Sequence, residues 1–277
     1  NRLILLNKIL QTRFGKTPLK ESPEGTIQIR ILPGFTPSAD SGFRDARPEK
    51  SMPSLREQAY RLTATPGKIE IQAASETGAA YAINTLIKLL LMEEKPQIPC
   101  VEITDYPAFQ IRGLQLCAPY RPCPWKPLVE MASLMNYNRL WLKLEHRIQN
   151  PESPSLGGGK DTMTWQEMHR IVGEMRENGF DVCPEHTAYS HIEFLTKIPG
   201  NEFLGDGGAN AKNLNVRNPR AIEAMKQIYD NIFRVFAGAT VKAFNITHDE
   251  LSHGLIGVSP ETKNVKPSIL FQENLIF

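Results

Sequence analysis

The first fourteen residues place Leu3, Leu6, Ile9, Leu10 and Phe14 three to four positions apart. That spacing gives one apolar face and predicts an amphipathic helix over residues 2–14. Residues 26–32 switch to a period of two, with Ile27, Ile29 and either Ile31 or Leu32 on one side, and read as a strand stopped by Pro33-Gly34. Residues 35–56 carry proline, serine and charge with little periodicity, and are expected to form a long surface loop. Alternation returns in Tyr60–Thr65 and Lys68–Gln72 around Pro66-Gly67, which predicts a hairpin. Ser75 suits an N-cap, and Ala79, Ala82, Ile83, Leu86, Leu89 and Leu90 give the helix running to Met92 one buried face. Residues 1–102 therefore read as a small α+β domain, helices packed on one face of a mainly antiparallel sheet.

Beyond Pro99 strand-like runs alternate with helices of several turns. Strands are predicted at 111–116, 139–144, 180–183 and 241–246, and helices at 126–135, 165–178 and 219–236, the last with Pro219 in its first turn. Repeated β-α units signal a parallel sheet with helices outside it, here over residues 103–277. Four such units suit half of an eight-fold barrel or a small open sheet, and the pattern alone favours neither. The apolar 268–277 stretch reads as the start of another packed element.

Composition narrows the partners. With 41% hydrophobic and 22% charged residues the chain is of globular type, which excludes disorder and coiled coil. Lys+Arg 32 against Asp+Glu 30 leaves a formal charge of +2 with no basic run, so no nucleic-acid partner is expected. The longest apolar run, 86–92, is interrupted by Lys88 and is too short to span a bilayer. Cys100, Cys117, Cys123 and Cys183 contain no C-x-x-C pair; buried thiols are favoured, although Cys117 and Cys123 could meet across a loop. No secretion signal is read at the start, and with Asn1 rather than Met in first place the compartment stays open.

Chemistry-bearing residues gather where the strands exit. These are Arg112 on the first; Lys143, Glu145 and His146 after the second; Glu185, His186 and His191 on the third; and Asn245, His248, Asp249, Glu250 and His253 on the fourth. Several carboxylates and histidines on one rim are costly to bury unless paired, which marks a candidate site. Metal-assisted hydrolysis through the histidines is the weaker reading, because His248 and His253 lie five apart, not the four that puts both on one helix face in H-E-x-x-H. No metal and no cofactor are expected. Carboxylate acid–base work on a glycosidic bond fits better, because adjacent Asp249 and Glu250 on an extended segment point to opposite sides and do different jobs.

Five segments taken in order resemble glycoside hydrolase family 20, the β-N-acetylhexosaminidases. They are Tyr60 to Leu91, Ile103-Thr-Asp-Tyr-Pro-Ala-Phe-Gln-Ile-Arg-Gly113, Asn138-Arg-Leu-Trp-Leu, Phe180-Asp-Val-Cys-Pro-Glu185 with His191, and Phe244-Asn-Ile-Thr-His-Asp-Glu250. The resemblance implies an α/β fold, a (β/α)8 TIM-type barrel behind a small α+β accessory domain, with about the first half of the barrel in this chain. It implies removal of terminal non-reducing β-linked N-acetylhexosamine from a glycan or glycoconjugate, with retention and assistance from the substrate's own 2-acetamido oxygen. Glu250 would be general acid and then base, and Asp249 would orient the acetamido group. Arg112, His191, Glu185, Asn245 and His248 would bind or support the sugar. Export from the cytoplasm is implied too, and the oligomeric state is left open.

The chain departs from the family pattern at the rim, with Thr247-His248 where Gly-Gly is usual, Lys143 on the second strand and Thr187 after the third-strand Glu. Only 27 residues follow Glu250, too few for four more β/α units, so a portion of a longer chain is expected. Two alternatives stay open. One is a non-catalytic carbohydrate-binding barrel. The other is a glycosidase for a sugar without an acetamide, with Glu185 or Glu145 as nucleophile about 5–5.5 Å from Glu250.

Overall fold

In the computed structural model, residues 2–16, 19, 26–37, 49–117, 125–157, 162–236, 243–248, 250 and 256–276 are described. The chain divides into two compact units: residues 1–113 with 126–139 and 177–180, and residues 114–125, 140–176 and 181–277.

The first unit opens with α1 (Arg2–Phe14), followed by β1 (Ile27–Ile31), β2 (Tyr60–Thr65), β3 (Lys68–Ala73), α2 (Glu76–Met92) and β4 (Val101–Asp105). Its strands are ordered β1-β3-β2-β4. The β2–β3 hairpin pairs Tyr60 with Ala73 and Thr65 with Lys68, turning on Pro66-Gly67. Gly67 takes a φ of 79°, a left-handed value glycine adopts without strain. β4 is antiparallel to β2, and β1 lies parallel to β3 on its other side. The sheet is thus mainly antiparallel with one parallel edge.

Ser75 caps α2, its hydroxyl accepting from Thr77 N and Gly78 N. Ala79, Ala82, Ile83, Leu86 and Leu90 of the helix pack against Tyr60, Leu62, Ile71 and Ala73 of the hairpin, and Leu6 of α1 closes the cluster. α3 (Trp125–Leu134) contributes Leu134 to the same core.

In the second unit β5 (Gly113–Cys117), β6 (Arg139–Lys143), β7 (Asp181–Thr187) and β8 (Asn245–Thr247) form a sheet in that order. β8 runs parallel to β7, with Glu185 opposite Asn245, His186 opposite Ile246 and Thr187 opposite Thr247. Around it are α4 (Trp165–Glu177), the short α5 (Glu193–Thr196), α6 (Pro219–Val235) and α7 (Pro267–Ile276). Asn218 caps α6 by accepting from Arg220 N, and Pro219 sits where a missing N–H costs nothing. Ala221, Ala224, Met225, Ile228, Ile232 and Val235 make its buried face. Every β7 residue after Asp181 is buried, as expected of a strand covered on both sides.

Three expectations change. β7 is seven residues long and carries Pro184-Glu185-His186-Thr187 inside the sheet, where the polarity of that stretch suggests a loop. β8 occupies 245–247 instead of 241–246, with 241 and 242 outside the described residues. Cys100 and Cys117 are exposed and free, because Cys100 precedes an edge strand and Cys117 ends one; only Cys183 is a buried thiol, and Cys123 lies outside the described residues.

Candidate active site

β7 and β8 bring part of the expected set together. Side chains alternate along a strand, so Glu185 and Thr187 of β7 share a face with their registered partners Asn245 and Thr247 of β8. Glu185 is 1% exposed. Its Oε1 accepts from Gln115 Nε2 of β5, and its Oε2 accepts from Asn245 Nδ2 at 2.7 Å. Leu144 N donates to the Glu185 carbonyl at 3.0 Å, tying the exit of β6 to β7. The Thr247 hydroxyl on this face is buried and has no hydrogen-bond partner among the described residues. An orphaned polar atom of this kind is a place for a water or ligand to bind.

Sequence reasoning misses Gln115. The signal for it is faint: a lone amide in the alternating Leu114-Gln115-Leu116, on the opposite face of the strand from the two leucines.

The opposite face of β7 holds His186. It is fully buried, with Phe194 and Tyr229 edge-on at 5.9 and 5.6 Å, and its Nδ1 lies 2.7 Å from the Thr187 carbonyl. Removal from water pushes its pKa down to about 4, so the ring is neutral and Nδ1 carries the donated proton. His146 stacks on the same Phe194.

The remaining residues have other partners. His191 adopts a positive φ of 54° and faces Glu193, Nδ1 to Oε1 at 3.8 Å. Glu145 lies 3.6 Å from the Arg147 guanidinium. His248, just past β8, places Nε2 2.7 Å from Asn274 Oδ1 of α7, and the Asn274 amide donates to the Ala188 carbonyl. Glu250 is exposed three residues beyond β8; Asp249 and His253 lie outside the described residues.

Arg112 belongs to the first unit, where its guanidinium has an acceptor for each of its five N–H groups. Nε donates to Asn136 O at 2.7 Å, Nη1 to the Phe109 and Gln110 carbonyls, and Nη2 to Gln58 Oε1 at 2.8 Å and Tyr81 OH at 2.7 Å. Burial lowers the arginine pKa and raises that of Tyr81, each partly offset by the other. The geometry is that of a structural hub, not of a guanidinium held open for two sugar hydroxyls.

A second buried carboxylate holds the chain elsewhere in this unit. Asp206 is 3% exposed and accepts from Gly257 N at 2.6 Å, Val258 N at 3.1 Å, Ser259 N at 2.8 Å and Thr262 Oγ1 at 2.6 Å. The segment following Glu250 is thereby fastened to the connection between β7 and α6. Among the described residues no group of three His, Cys, Asp or Glu side chains is placed to hold a metal ion, and no helix is long and apolar enough to cross a membrane.

A four-stranded sheet with helices packed on it, followed by β/α units, defines an α/β fold, and solved structures share it. The chain matches the family 20 exo β-N-acetylglucosaminidase of Vibrio harveyi, solved with N-acetylglucosamine, at a TM-score of 0.71 and 19% identity, over 98% of this chain and 45% of that one. It matches the chitobiase of Flavobacterium johnsoniae at 0.72 and 23%, over 98% and 44%. Residues 5–106 match glycosyl hydrolase family 20, domain 2. The beta-hexosaminidase of Akkermansia muciniphila is 30% identical over 170 residues, 53% of this chain and 34% of that protein. That of Porphyromonas gingivalis is 27% identical over 202 residues, 68% of this chain and 25% of its own length. The chain spans about a third or less of the length of these two curated relatives.

Proposed function

We propose that this chain is part of a glycosidase that removes terminal non-reducing β-linked N-acetylhexosamine, with the first half of a (β/α)8 barrel in residues 103–277 behind an accessory domain in 1–102. The similar proteins named beta-hexosaminidase support the substrate class. Glu250 serves as general acid and then base, and Asp249 orients the 2-acetamido group whose oxygen attacks the anomeric carbon. Glu185, Asn245 and His248 line or brace the sugar pocket, and His191 supports it from the loop after β7. Arg112 acts at one remove, holding the connection into β5.

One observation carries the assignment. Glu185, the carboxylate buried on the site face, is bonded at both oxygens by side-chain amides, whereas Glu250 is exposed beyond β8. A carboxylate held by two donors is a weakened nucleophile, and a carboxyl open to solvent can exchange a proton. That favours assistance by the substrate over an enzymic nucleophile at Glu185; Glu145, beside Arg147, is disfavoured for the same reason.

The test is hydrolysis, by the longest chain obtainable, of an aryl N-acetyl-β-glucosaminide beside the matching plain β-glucoside. Cleavage of the first alone is expected. Glu250→Gln should lower kcat by about 10²- to 10⁴-fold on a substrate with a poor leaving group, and much less on an activated aryl glycoside. Equal loss on both would overturn Glu250 as the acid, and cleavage of the plain glucoside would overturn the acetamide mechanism.

A further inference from the structure

A cleft of about 550 Å³ opens on the second unit between Pro154–Leu156, the 200–203 turn and the first two turns of α6. Its volume falls within the roughly 300–1,000 Å³ of small-ligand sites. Two of its walls come from the connections leaving β6 and β7, the same connections that carry the candidate active site's loops, yet none of its lining residues belongs to that site.

The lining is built. Asn201, 1% exposed, donates through Nδ2 to Ser155 O at 2.7 Å and Leu195 O at 3.3 Å, while no donor among the described residues reaches its Oδ1. The Arg220 guanidinium carbon lies over the Phe203 ring, 4.3 Å from its centroid, and its N–H groups have no acceptor among the described residues. One turn along α6, the Glu223 carboxylate forms no ion pair or hydrogen bond among the described residues. Across the mouth Ser153 Oγ and Gln227 Oε1 meet at 2.7 Å. Leu156 and Ala224 supply an apolar floor.

We infer that this cleft is a second saccharide-binding site, for a neutral sugar distinct from the one at Glu250. Arg220 offers unpartnered donors and Glu223 and Asn201 Oδ1 unpartnered acceptors among the described residues, and the positive and negative side chains lie three residues apart on α6. A ligand of net charge of either sign meets repulsion from one of them, whereas hydroxyl groups both donate and accept and match the whole rim. The apolar floor of Leu156 and Ala224 suits the C–H face of a pyranose. The choice of a sugar over another neutral polyol rests on the glycosidase reading above; the cleft's chemistry stands apart from it.

The probe is N,N′-diacetylchitobiose, titrated into ¹⁵N-labelled intact chain and into Glu250→Gln to prevent turnover, with amide shifts followed at Gly200 and Ala224. Saturable shifts at both are expected in both proteins, and Arg220→Ala or Gln227→Ala should weaken binding there by about tenfold. These side chains are exposed, so the variants' unchanged spectra elsewhere serve as the folding check. Silent Gly200 and Ala224 amides, an unaltered affinity in Arg220→Ala, or equal shifts from inorganic sulfate would each overturn the proposal. Hydrolysis with a silent cleft overturns this site alone. Saturable shifts at the cleft, with no hydrolysis of any glycoside by the longest chain obtainable, support it while overturning the glycosidase reading.

Discussion

Glu185 depends on two amides drawn from different strands, and the interactions are of the charge-assisted kind that contributes most. Asn245→Ala leaves Oε2 without its donor at a position 1% exposed, so a loss of roughly 1–3 kcal/mol is expected from urea unfolding. Thr247→Val should behave oppositely. Its hydroxyl has no partner, and the isosteric methyl removes a desolvated polar atom, so stability should hold or rise by up to about 1 kcal/mol. A drop of 2 kcal/mol or more would mean that the hydroxyl holds something.

His186 gives a pH signature at the same scale. Its folded pKa of about 4 lies below the ordinary 6.5, so between those values the unfolded chain binds a proton that the folded chain refuses. Stability therefore falls as pH drops through that window, by roughly 3 kcal/mol in full. His186→Gln should be less stable at pH 7 but flatter between pH 7 and 4. Parallel unfolding curves for both proteins across that range would remove His186 from the acid response.

At the scale of elements, α2 shows packing overriding propensity. Exchanging a helical glycine for alanine ordinarily gains about 1 kcal/mol. Gly78 is different, because a Cβ there would stand 2.3 Å from the Ala59 carbonyl oxygen, a backbone atom with no easy retreat. Gly78→Ala should destabilise by several kcal/mol, and a raised Tm would show that the approach of helix to strand relaxes freely.

The helices were legible because each states its own case locally. α1 runs over Arg2–Phe14 as its apolar spacing predicts, and Ser75 and Asn218 cap where their side chains can reach the first free N–H groups. β7 is half legible. Hydrophobicity marks its start, but Glu185, His186 and Thr187 are buried by partners some 60 residues away, and no local pattern announces a buried polar strand. The same holds for the site: Glu185 and Asn245 are visible as candidates, while Gln115 at a separation of 70 residues and Asn274 at 26 become partners only through the sheet and α7. Arg112 has the residue type of a ligand-binding group and the surroundings of a hub, and only its surroundings distinguish the two.

For the molecule as a whole, the second sheet ends in strands β5 and β8 among the described residues, and Ile246 on the three-residue β8 is 47% exposed. An edge strand leaves backbone groups open to pairing with another copy; three residues limit that, and the bare Ile246 side chain adds apolar surface to it. Ile246→Lys should raise the concentration at which the chain stays monodisperse in light scattering, with no change in unfolding midpoint. Unaltered association would place the adhesive surface elsewhere.

The clasp at Asp206 also bears on how this protein tolerates variation. Three of its four donors are backbone amides, which every residue but proline supplies, so the loop it holds is recognised by shape and not by spelling. A library randomised at the exposed Val258 and Pro260 should return many folded members, whereas one randomised at position 206 should collapse to aspartate: the instruction for that loop is written about fifty residues upstream of it.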